Sequence, residues 1–161
     1  MRSFDLFLLL IPALLYSQKL QPNEVQIFSF ETTGGKKMQL VKDKSGKYIQ
    51  YRFGNGNKTE LNFPATQNAD SWKKFRFNAY ERGGGKENSG IIMHYLNFQN
   101  KGFDYTVYYK FSTEDELINS GITVKNLRNG KITEIKAKNS TIKGIMHQLS
   151  EKIAESENWS Y

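Results

Sequence analysis

"YERGGGKENSGIIMHY", Tyr80 to Tyr95, sets three consecutive glycines between two aromatic-rich runs. Such a glycine run serves two incompatible architectures. A phosphate cradle places it after a strand and before a helix, whose free amides meet the anion. A hairpin places it between two strands. Here an apolar β pattern resumes at Ile91, and "RGGGKENSG" lacks the Gly-Lys-Ser/Thr ending that a P-loop requires. We therefore expect a wide bend at Gly83, Gly84 and Gly85 and no nucleotide pocket. Successive amides beside Arg82, Lys86 and Asn88 also make this loop a candidate for contact with an anionic ligand.

Period-2 alternation extends to both sides of the bend. "VQIFSFE" reads as a strand with Val25 and Ile27 on one face, although Phe28 interrupts the alternation before Phe30. "TTGGKK" turns into "MQLVKD". "KSGK" then turns into "YIQYRFG", with Ile49, Tyr51 and Phe53 on one face and Tyr48, Gln50 and Arg52 on the other. The Asn-Gly pair of "NGN" supplies the positive φ of a tight turn. "TELNFP" points Leu61 and Phe63 inward, and Pro64, lacking an N–H, ends the ladder. After the polar connection "ATQNAD", "WKKFRFNAY" alternates Phe75, Phe77 and Ala79 against Lys74, Arg76 and Asn78. "IIMHYLNF", "DYTVYYKF", "GITVKNL" and "ITEIKAK" follow, separated by short polar turns. The pattern predicts an all-β chain of about nine strands, an antiparallel meander forming a small sandwich or barrel.

The character changes at Ser140. In "STIKGIMHQLSEKIAESE", Ile142, Ile145, Met146, Leu149 and Ile153 fall at helical spacing, with Ser140 placed to cap. A helix over 140–155, packed at one end of the sheets, is the expectation. Gly144 weakens it by roughly 1 kcal/mol relative to Ala. Trp159 would extend its apolar contact. At the other terminus, Arg2 precedes the apolar run Leu6 to Tyr16, and Ser17 is small. That is a signal peptide over 1–17, too short to span a bilayer, which takes roughly 20 apolar residues. Residues 18–161 then form a single domain, periplasmic or secreted and not an integral membrane protein.

The chain has no cysteine, which excludes disulfides, thiolate metal sites and a lipidated cysteine. Its formal charge is +7, and removal of residues 1–17 takes away one Arg and one Asp, leaving it unchanged. The charge favours an acidic partner: anionic polysaccharide, an envelope surface or an acidic protein. Export argues against nucleic acid.

Catalytic chemistry is hard to find. No Gly-x-Ser-x-Gly elbow occurs. Glu114, Asp115 and Glu116 read as a solvated acidic turn, and Glu60 and Glu81 as single outward positions. His94 reads as a core residue. His147 lies on the flank of the helical stripe, and neither histidine has a ligand-spaced neighbour in sequence. No cofactor and no metal is expected. Aromatic and basic residues remain: Tyr48, Arg52, Trp72 and Arg76, beside the loop of Arg82, Gly83, Gly84, Gly85, Lys86 and Asn88. On a shared face they would stack on a ligand and hold its acidic groups.

"YIQYRFGNGNKTELNFP", "RGGGKENSG" and "YLNFQNKGFDYTVYY" together resemble a group of small exported bacterial proteins with YRFG, ELxFP and RGGGxxNxG segments. The resemblance spans Phe28 to Lys136. It implies export and a compact β fold, and carries over no site residue. A looser similarity links the chain to periplasmic lysozyme inhibitors, also small exported β domains. The missing cysteines and the positive charge depart from that pattern, since a basic inhibitor repels a basic lysozyme. The expected function is an exported non-enzymatic binding domain for an acidic envelope component or partner protein. Inhibition of a secreted enzyme such as lysozyme is the second reading. A cell-wall hydrolase using Glu81 or His94 is the third.

Overall fold

A computed structural model describes residues 18–56, 58–85 and 88–155. The expected signal segment, Lys86 and Trp159 lie outside the described residues. Two five-stranded antiparallel sheets face each other as a sandwich, without closing into a barrel. The first runs in the order β10-β1-β2-β3-β4. Its strands are β1 Glu24–Glu31, β2 Lys37–Asp43, β3 Ile49–Asn55, β4 Lys58–Phe63 and the two-residue β10 Lys143–Gly144. The second is the simple meander β5 Arg76–Arg82, β6 Ile91–Asn100, β7 Phe103–Ser112, β8 Leu117–Asn126 and β9 Ile132–Lys136.

Alternation places the core. Phe28, Phe30, Met38, Leu40 and Tyr51 from the first sheet meet Phe77, Leu96, Phe98, Val107 and Ile122 from the second, all buried. Each such side chain contributes about 1.5–3 kcal/mol by leaving water. Ring contacts join the layers: Phe28 edge-on to Tyr109 at 6.0 Å, and Tyr51 against Phe98 at 4.9 Å. The glycine run is the β5–β6 connection. Arg82 pairs with Ile91 across it, and the chain re-enters a strand rather than a helix. At the β6–β7 hairpin, Lys101 and Gly102 take φ of 48° and 80°, the twist that a two-residue turn requires.

Three local readings are corrected. Phe28 broke the alternation of β1 because the strand carries a bulge: register with β2 shifts between Gln26 and Phe28, and Ile27 is the extra residue. Trp72, read as the start of a strand, lies on a 3-10 turn over Ala69–Lys74. Asn68 caps that turn by accepting from the Asp70 amide, so the strand begins only at Arg76. The helix over 140–155 does not form. Residues 139–155 are instead a strap of two 3-10 turns, Asn139–Thr141 and His147–Glu151, with β10 between them. Gly144 sits at φ +81° and pairs with Phe28, a left-handed position incompatible with a helix interior. The apolar stripe still identified the buried residues: Met146, Leu149 and Ile153 enter the core, while Ile145 stays exposed. The strap pairs with β1 at one end. At its other end the Phe77 amide of β5 donates to the Ala154 carbonyl at 3.1 Å.

Candidate functional site

A groove of about 930 Å³ opens where β4, the edge of the first sheet, passes the 3-10 turn and the β6–β7 hairpin. Glu60 to Phe63 of β4 all line it, with Leu61 and Phe63 packed against the core, and Pro64 follows the strand at its wall. Phe63 lines it together with Phe98, which is only 3% exposed, and both belong to a ladder of rings that continues into the core. Phe63 stacks on Phe98 at 4.5 Å, and Phe98 stacks on Tyr105 at 4.8 Å. Phe75 meets both Phe63 and Phe98 edge-on at 5.5 Å. Around Leu61 and Phe63 the lining carries Lys73, Lys74, Arg76 and Lys101 against Glu60 and Asp104. Glu60 is ion-paired with Lys36 at 2.6 Å, and Lys73 with Asp70 at 2.7 Å. Arg76 donates to the carbonyls of Lys73 and Phe75, which fixes its head at the groove wall and leaves its charge in place. Burial raises the pKa of Asp104, and Lys125 opposes that rise. The groove is therefore a cationic rim around the half-buried Leu61 and Phe63, beside a strand that has a neighbour on one side only among the described residues.

The sequence-derived candidates scatter. Arg76 lines the groove. Trp72, nearby, is buried, with its indole N–H donating to the Gly46 carbonyl and the Lys152 ammonium over its ring. Tyr48 and Arg52 lie in a buried network around Glu24. Arg52 places its guanidinium nitrogens 2.9 and 2.5 Å from the two carboxylate oxygens, and the Tyr48 hydroxyl donates to Oε1 at 2.8 Å. Burial pushes Glu24 upward, but the hydrogen bonds from Arg52, the Gln21 amide and Tyr48 outweigh it and hold the carboxyl below its ordinary range. Arg82 turns its guanidinium onto the Ser89 carbonyl of its own loop. Gly83, Gly84, Gly85 and Asn88 are exposed there, and the Gly85 amide donates to the Asn88 carbonyl. These residues do not form one face with Tyr48, Arg52 and Trp72. A Ser-x-x-Lys spacing at Ser71 and Lys74 is structural, because the buried Ser71 hydroxyl accepts from the Ile49 amide.

A second constellation was missed. Glu81 is not outward-facing. It shares the inner face of β5 with Phe77 and Ala79, and the register Ala79↔His94 brings it diagonally against His94. Nor are the histidines isolated. Glu81 Oε1 lies 2.6 Å from His94 Nε2 and 2.8 Å from Nδ1 of His147, which the strap delivers. His94 is fully buried, with its ring beside those of Phe77 and Tyr109, while His147 is largely exposed. The His94 hydrogen bond leads the interactions that hold Glu81 below the ordinary carboxylate range, and burial holds His94 below the ordinary imidazole range. The parity of Phe77, Ala79 and Glu81 was a usable signal for the first contact. Nothing in sequence announced the second, which spans 66 positions.

Compared with known families, curated proteins and solved structures, the chain matches none.

Proposed function

We propose that the chain is an exported, non-enzymatic binding domain whose groove beside β4 takes an acidic, extended partner. The supporting observation is the cationic rim of Lys73, Lys74, Arg76 and Lys101 around the half-buried Leu61 and Phe63. The rim attracts negative charge and speeds encounter, and Leu61 and Phe63 supply apolar contact. Because β4 is an edge strand, a polypeptide lying along it gains main-chain hydrogen bonds that a glycan cannot match, which favours an acidic protein segment over anionic polysaccharide. The apolar run of Leu6 to Tyr16 supports export.

The test measures binding of a labelled oligoglutamate peptide and of polygalacturonate at about 50 and about 500 mM salt. The peptide is expected to bind more tightly than the glycan and to weaken with salt. The pair Lys74→Glu and Lys101→Glu is expected to weaken it by about tenfold or more at low salt. Binding that is indifferent to both charge reversals overturns the assignment to this groove. Preference for polygalacturonate replaces the polypeptide with a glycan.

A further inference from the structure

We infer that Glu81, His94 and His147 form a site for a divalent transition metal, best suited to Zn2+, that locks the C-terminal strap onto the second sheet. Two imidazoles and one carboxylate are the donor set of a three-ligand zinc centre with an open fourth position. One donor atom from each residue lies within 4.8 Å of the others. Around zinc, bonds of about 2.0–2.2 Å in tetrahedral array place donor atoms about 3.3 Å apart. The Glu81 oxygen, at 2.6 and 2.8 Å from the two rings, must withdraw by about 0.7 Å from the first and about 0.5 Å from the second. The exposed His147, on a 3-10 turn, can swing to close the remaining gap.

The supports differ in stiffness, which suits capture of a metal. His94 is fixed in the core by β6 and by the rings of Phe77 and Tyr109. Glu81 is held on β5 by its register with β6. His147 arrives last, on the strap, and leaves the site open to solvent. Without metal, a ring proton bridges His94 Nε2 and the carboxylate. Metal binding at Nε2 moves that proton to Nδ1, which is buried and has no hydrogen-bond partner among the described residues. The His147 proton likewise moves from Nδ1 to Nε2, which faces water, so both rings ligate as neutral imidazoles and the carboxylate supplies the site's negative charge. The pocket is thus complete only when the strap is docked, and binding of metal and docking of the strap stabilise one another.

The experiment titrates the tag-free protein with Zn2+ against a chromophoric chelator and follows hydrogen exchange over residues 145–153. The expected result is a single zinc ion per chain, with slower exchange in that segment when zinc is present. His147→Ala and Glu81→Gln are each expected to weaken zinc by about tenfold or more and to abolish the added protection. His147 is surface-exposed, so its variant keeps the fold, and circular dichroism verifies this. Absence of stoichiometric zinc, or wild-type affinity in both variants, overturns the site. Zinc bound without added protection of the strap overturns the locking role.

Discussion

Asp43 ends β2 and organises the turn behind it. Its Oδ1 accepts from the Ser45 hydroxyl and from the amides of Ser45 and Lys47, and its Oδ2 accepts from the Asn23 side chain at 3.0 Å. The Ser45 hydroxyl, then Asn23, hold its pKa down from 3.8 to about 2. A carboxyl depressed in the folded state stabilises the fold above its unfolded pKa and loses that contribution as pH falls toward the folded one. The relevant window runs from 3.8 down to about 2. Asp43→Asn is expected to lower the melting temperature at neutral pH, with the gap to wild type narrowing across that window. Thermal unfolding at stepped pH reads this directly, and a gap that stays constant would show that the turn's hydrogen bonds do not depend on the charge. Asp43 drew no notice in sequence because an acidic residue before Lys-Ser-Gly looks like ordinary turn chemistry. Its value lies in partners the turn itself creates.

At the scale of elements, the strap separates what periodicity can tell from what it cannot. Spacing along residues 140–155 found Met146, Leu149 and Ile153, all buried, because any segment lying across a core must return an apolar residue to it every few positions. Conformation was decided elsewhere, by pairing of Gly144 with Phe28. A β-carbon built on Gly144 would lie 2.0 Å from the Ile27 carbonyl oxygen, and φ is +81°. Gly144→Ala is therefore expected to destabilise by about 1–3 kcal/mol, from backbone strain and overpacking together. In an exposed helix the same change would stabilise by roughly 1 kcal/mol, so urea denaturation distinguishes the two conformations by sign. The bulge in β1 repeats the lesson. The irregularity was visible as a broken alternation at Phe28, but its meaning needed the facing strand.

For the molecule as a whole, legibility followed sequence distance. Both meanders are local: β1 to β4 occupy 24–63 and β5 to β9 occupy 76–136, each hairpin marked by its own turn residues. These were readable, and so was the all-β class. The groove was not, since Phe63, Lys74 and the β6–β7 pair Phe98 and Lys101 come from three separate stretches and meet only when the sheets stack. Of the residues singled out beforehand, Arg76 reaches it, while Tyr48 and Arg52 are committed to Glu24. Basic and aromatic composition carried no address: Tyr48, Arg52 and Trp72, read as part of one exposed face, are buried.

The division into two sequential sheets has a practical corollary. A cut in the exposed connection near Gln67 would leave each sheet on its own polypeptide, except that the second piece also carries Lys143 and Gly144, the partners of Ser29 and Phe28. Residues 1–66 and 67–161, produced together, should reassemble through the shared core, with that short strand donated from one fragment to the other. Co-purification of the pair, abolished when the donor ends at residue 139, is the expected outcome. A protein arranged this way divides into two pieces, and its strap closes on β1 only when they meet.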